Sequence, residues 1–107
     1  MGAAIDYIEK NLSQIHDVSE VADRMHVSRT YLYKLFSKYT GYTPKGYITH
    51  CRILRFLNLI TTSNTTVLDA AMHCGFESQS GFYKTFRTVC GTTPTEYLAE
   101  HRKGAFE

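Results

Sequence analysis

The segment SRTYLYKLFSKYTGYTPKGY (28–47) reappears fifty residues later as SQSGFYKTFRTVCGTTPTEY (78–97). Ser28, Tyr33, Lys34, Phe36, Gly41, Thr43, Pro44 and Tyr47 coincide with Ser78, Tyr83, Lys84, Phe86, Gly91, Thr93, Pro94 and Tyr97. Leu32 meets Phe82, and Arg52 meets Arg102. Just upstream, VSEVADRMHV (18–27) pairs with VLDAAMHCGF (67–76) at an offset of forty-nine, so the second copy carries one extra residue, Glu77. Two copies are too few for a solenoid, so the chain must pair one supersecondary unit with itself.

Each copy reads as helix, tight turn, helix. Asp17 is an N-cap with Glu20 three residues on, the spacing of a capping box. Val18, Val21, Ala22 and Met25 then share one helical face. Ser28 caps a second helix with an apolar stripe of Tyr31, Leu32, Leu35, Phe36 and Tyr39, and Gly41 stops it. In the second copy Val67, Ala70, Ala71 and Cys74 form the first face. Ser78 caps, Phe82, Phe86 and Val89 pack, and Gly91 stops. Ala22 and Ala71 are small, as closely crossing helices require. Four residues after each stands a turn residue, His26 or Gly75, followed by an apolar plug, Val27 or Phe76. The turn calls for positive φ, which glycine accepts freely and histidine tolerates better than most residues. One such pattern fits any helical hairpin; two in matched register point to tandem helix-turn-helix units.

The connectors add three helices. Thr43 and Thr93 are expected N-caps with Pro44 and Pro94 at the first helical position, and Thr93 with Glu96 spaces a second capping box. The helix from Pro44 to about Ile60 spans roughly 25 Å at 1.5 Å per residue and sets the distance between units. A first helix, about 3–12, buries Ile5, Ile8 and Leu12, and a last one runs from Pro94 to about Arg102. The expectation is an all-α fold of seven helices and no strand. The whole of 1–107 forms one domain, with subdomain one at about 3–43, a linker helix at about 44–61 and subdomain two at about 62–103.

Charge is segregated along the chain. No acid lies between Asp23 and Asp69, where Arg24, Arg29, Lys34, Lys38, Lys45, Arg52 and Arg55 fall. A second acid-free stretch, Ser78 to Thr95, holds Lys84 and Arg87. The first twenty-three residues carry Asp6, Glu9, Asp17, Glu20 and Asp23 against Lys10, which brings the net charge to only +2. A basic face can meet phosphates. A solvated face neutralised by acids nearby in space fits the charge pattern equally well.

Several classes are disfavoured. No apolar run approaches the roughly 18 residues of a membrane span, and MGAAIDYIEK does not read as a signal peptide. Cys51, Cys74 and Cys90, odd in number and widely spaced without CxxC, fit reduced cytoplasmic thiols rather than zinc ligands. The five histidines show no HxxxH or HExxH pairing, so neither metal nor cofactor is expected. No Ser/His/Asp, Cys/His or paired-carboxylate arrangement and no Gly-rich phosphate loop occurs, so the chain is not expected to be an enzyme. A protein–protein module of helical hairpins is the competing reading. Such a module has no need of two exposed basic helices in the same register.

The stretch SRTYLYKLFSKYTGYTPKGYI, then Arg52 on the linker helix, then GFESQSGFYKTFRTVCGTTPTEY, resembles the DNA-binding domain of AraC/XylS-family bacterial regulators. The likeness runs from about Ile5 to Tyr97. It implies two helix-turn-helix subdomains whose recognition helices enter successive major grooves of double-stranded DNA, with RNA polymerase as a further partner. It also implies a companion sensing or dimerisation domain, so the chain reads either as a C-terminal fragment or as a complete small regulator, monomeric on its own. Departures from the family pattern are Phe56 in place of Ala, Ala70 in place of Ile, Gly81 inside the second recognition helix, and Leu98 in place of Arg. Ala70 can compensate Phe56 in volume. Gly81 either admits close backbone approach to DNA or weakens the helix by about 1 kcal/mol relative to alanine.

Helical geometry and the resemblance together nominate the contacts. Thr30, Tyr33 and Lys34 in unit one, and Gln79, Ser80, Tyr83 and Lys84 in unit two, are the expected base contacts. Arg29, Lys38, Lys45 and Arg87 are the expected phosphate contacts. Tyr33 and Tyr83 read alternatively as aromatics covering their neighbours. Arg52 and Arg55 read as ion pairs or structural groups, Tyr47 and Tyr97 as core.

Overall fold

A computed structural model describes the backbone of residues 2–106 and the side chains of residues 2–100. Seven helices follow in order: α1 (Gly2–Lys10), α2 (Val18–Arg24), α3 (Arg29–Thr40), α4 (Pro44–Thr62), α5 (Val67–His73), α6 (Gln79–Cys90) and α7 (Pro94–Phe106). The described residues contain no strand. The side chain of Arg102, the repeat partner of Arg52, lies outside the described residues.

The helices begin where short oxygen-bearing side chains cap them. The Tyr31 N–H donates to Ser28 Oγ, the Gly46 N–H to Thr43 Oγ1 and the Gly81 N–H to Ser78 Oγ, at 3.0–3.1 Å. Thr66 caps α5 in the same way, at the position that Asp17 holds one repeat earlier. Both expected capping boxes differ in their return bond. Glu20 accepts the N–H of His16, one residue before the Asp17 cap. Glu96 accepts the hydroxyl of Thr92 rather than the Thr93 amide. Each long Glu side chain takes a donor just outside the helix. Gly41 and Gly91 end α3 and α6 at φ of +76° and +75°.

Two hydrophobic cores lie along a molecule 48 × 23 × 23 Å in extent. The first gathers Ile8, Leu12, Ile15, Val21, Ala22, Leu32, Phe36 and Ile48. The second gathers Ile53, Phe56, Ile60, Ala70, Ala71, Cys74, Phe82, Phe86 and Leu98. Helix α4 therefore changes allegiance between Ile48 and Ile53, and this makes one rigid element common to both units. Phe56 and Ala70 share the second core, so the large residue and the small one compensate in one packed volume. Tyr47 and Tyr97 pack half-buried on the two cores. Tyr31, Tyr39 and Val89 do not join them, being 52%, 62% and 46% exposed. They flank stripes that Leu32 with Phe36, and Phe82 with Phe86, already fill.

The two turns take the expected backbone, His26 at φ +57° and Gly75 at φ +103°. His26 stands exposed. Gly75 does not, because a Cβ there would lie 2.7 Å from the Leu12 carbonyl oxygen and 3.0 Å from Ser13 Cα. The second turn thus presses against the α1–α2 connection of the first unit, which explains glycine in one copy and histidine in the other. Burial raises the pKa of all three thiols, Cys74 to about 11, so they stay protonated at neutral pH.

Candidate nucleic-acid interface

Lys34 stands two residues from both Leu32 and Phe36, about 200° round the helix from each, and so points away from the core. Thr30 and Lys38, four residues on either side, extend the same exposed line. The second unit repeats the arrangement with Ser80, Lys84 and Thr88 opposite Phe82 and Phe86. Arg29, Gln79 and Arg87 are exposed as well.

Tyr33 and Tyr83 sit on the flanks of these helices, half-buried. Tyr33 packs against the first core, and the Tyr83 ring meets Phe82 edge-on at 5.7 Å. Each also borders a cleft. Tyr33 shares one with Arg29, Lys45 and Thr49, and Tyr83 shares another with Lys84, Arg87 and Thr88. Both readings of these tyrosines therefore have a physical basis, one edge of the ring covering core and the other facing a basic groove.

A third cleft runs between the units, where Lys45 and Thr49 of α4 face the Ser78 cap and Gly81 and Thr85 of α6, with His16 and Glu77 also lining it. Lys45 and Thr49 border the α3 cleft too. The first turns of α4 thus form a strip flanked by both α3 and α6. Thr49, Thr85 and His16 escaped the sequence reading, although Thr49 is one turn beyond Lys45 and Thr85 one turn beyond Gly81. Gly81 is at the third position of α6, with its N–H held by the Ser78 cap. A Cβ at Gly81 would meet only the cap oxygen, at 2.9 Å.

Not every cation is available. Arg52 and Arg55 donate to backbone carbonyls: Arg52 to Leu12 and Ile15, and Arg55 Nη2 to Glu9 at 3.0 Å. Arg24 lies 5.5 Å from the Tyr7 ring centroid. The Lys38 ammonium, 5.4 Å from the ring centroid of its exposed neighbour Tyr39, stays on the solvent-facing line of α3. Asp17 borders the α3 cleft, and the Ser19 amide hydrogen bond holds its carboxyl below the usual value, with Arg29 adding to the shift. The described residues contain no group of three or more His, Cys, Asp and Glu able to hold a metal. None of the described helices is long and apolar enough to cross a membrane.

Comparison with known proteins agrees with this geometry. Residues 21–100 match the helix-turn-helix domain family. An AraC-type DNA-binding-domain regulator from Chromobacterium violaceum, 29% identical, superposes with a TM-score of 0.80 over 91% of this chain and 87% of that one. The chain belongs to the AraC/XylS family. It is an AraC-type DNA-binding domain of all-α architecture. The DNA-binding domain of AdpA, solved with a target DNA, is similar at a TM-score of 0.88 and 28% identity, covering 95% of this chain and 92% of that one. Among curated AraC-type relatives, the melibiose operon regulatory protein of Escherichia coli K12 is 31% identical over 104 residues, 95% of this chain. The lactose operon transcription activator of Staphylococcus xylosus is 31% identical over 94 residues, 88% of this chain. The chain spans about a third of these relatives, 34% of each.

Proposed function

We propose that this domain reads one asymmetric duplex site as a monomer, with α3 and α6 in successive major grooves, as the DNA-reading part of a bacterial transcription regulator. Thr30, Tyr33, Lys34, Gln79, Ser80, Tyr83 and Lys84 read bases; Arg29, Lys38, Lys45 and Arg87 neutralise phosphates. The work takes place in the cytoplasm, with RNA polymerase as a further partner. Subdomains at about 3–43 and 62–103, joined by the linker at 44–61, are the two reading heads. The observation that carries this reading is the strip of Lys45 and Thr49, bordered on one side by α3 and on the other by α6. Two non-identical helices on one such strip replace the two-fold symmetry of a dimer.

Titration of duplex DNA against salt tests it. Four phosphate-facing cations imply a slope of about −4 in log affinity against log salt. A protein–protein module gives no shift with DNA. The first unit and the linker together carry three of those cations and the second unit only Arg87, so a unit-one half-site should show the steeper slope; the reverse order contradicts the assignment.

Lys34→Ala and Lys84→Ala should each cost about 1–3 kcal/mol on the selected site and relax preference at separate base positions. Lys38→Ala should weaken all sequences alike. Unchanged preference profiles in both Lys34→Ala and Lys84→Ala remove these lysines from base reading.

A further inference from the structure

The two units meet outside α4 beside the Gly75 turn. There the α1–α2 connection, the middle of α4 and the second helix-turn-helix turn converge. Arg52 Nη2 donates to the carbonyls of Leu12 at 2.8 Å and Ile15 at 2.6 Å, and Nε donates to Leu12 at 3.1 Å. Arg52 lies between the residues at which α4 passes from the first core to the second, Ile48 and Ile53. Its Nε is also 3.0 Å from where a Gly75 Cβ would stand, so the same guanidinium is wedged between the first unit and the second turn. Two residues on, Glu77 meets His16 Nδ1 at 3.4 Å. Glu77 is the residue that the second copy has and the first lacks. The departures from repeat symmetry, glycine for histidine and one inserted acid, both fall on this junction.

We infer that Arg52 and Gly75 form a lock that fixes the spacing and rotation of α6 relative to α3, making Arg52 a positioning residue for the separation of the two DNA half-sites. A guanidinium can hold two carbonyls of a bent connection because its donors form a planar fork. With the fork in place, charge-assisted bonds hold α4 to the first unit, and the second turn packs against the same guanidinium, so α4 and that turn can shift against the first unit only together with the fork. The exposed His16–Glu77 pair adds little. This inference rests on the reading that α3 and α6 engage one duplex.

The test uses half-sites obtained by selection from random duplex with this chain, presented singly and as pairs whose separation varies one base pair at a time. The chain should bind the pair with a sharp optimum, about tenfold above separations one base pair shorter or longer, since a rigid link gives high effective concentration at one span only. Arg52→Ala should bind single half-sites within about twofold of the parent while its separation profile flattens. Arg52→Lys keeps the charge without the fork and should flatten the profile in part; its profile decides if Arg52→Ala fails to fold. A uniform loss with the optimum still sharp overturns the lock and leaves Arg52 as a plain charge or stability contact. An unchanged profile overturns it as well. If the parent chain binds neither single half-sites nor pairs, the DNA reading itself has failed, which the single half-sites report independently.

Discussion

Phe56→Ala should lower the unfolding free energy by about 3–5 kcal/mol, the usual cost of truncating a fully buried phenylalanine. Phe56 is 0% exposed, with its ring centroid 4.7 Å from Phe82 and 5.7 Å from Phe86. Its small neighbours Ala70 and Ala71 cannot reach into the space it leaves, so the cavity term stays. The loss should fall first on α5 to α7, because the residues of the first core do not include Phe56. Urea denaturation followed by helical circular dichroism measures it. Leu54, on the same helix and 53% exposed, supplies the control. Leu54→Ala should stay within about 0.5 kcal/mol of the parent. A Phe56→Ala cost under about 1 kcal/mol contradicts the packing described here.

The second large effect separates the two turns. Gly75→Ala combines a left-handed backbone, worth about 1–2 kcal/mol against an L-residue, with a methyl placed on the Leu12 oxygen. Overpacking of that kind adds about 1–3 kcal/mol because a backbone atom must move. His26→Gly, at the matching position of the first unit, should leave stability level or raise it by up to about 1 kcal/mol. The same denaturation experiment reads both. Equal costs for the two substitutions contradict the contact between the second turn and the first unit.

The repeat and the caps were legible because they are local. Ser28, Thr43 and Ser78 each satisfy an amide three residues away, and the φ demand at His26 and Gly75 follows from the turn itself. Apolar periodicity named Leu32, Phe36, Phe82 and Phe86 correctly, yet it also enlisted Tyr31, Tyr39 and Val89. A stripe tells which way a helix faces, and not how wide its cover is. Of the seven cations between Asp23 and Asp69, the sequence set Arg52 and Arg55 apart as ion pairs or structural groups, but named no partner for them or for Arg24. Three of them, Arg24, Arg52 and Arg55, are engaged by a ring or by carbonyls of residues 7–15. Those partners lie up to forty-six residues away in sequence and are mostly backbone, so no residue type announces them. For the same reason the sequence marked Glu77 as an insertion without revealing that it faces His16.

The central claim is that both recognition helices read one duplex at once. Hydroxyl-radical and guanine-methylation footprinting of the 107-residue chain on a selected asymmetric site tests this most directly. Two protected major-groove segments about one helical turn, roughly 10 base pairs, apart on one face of the DNA are expected, at one protein per duplex. Lys34→Ala should erase only one of them and Lys84→Ala only the other. A single short footprint, or two footprints that need two copies of the protein, would contradict it.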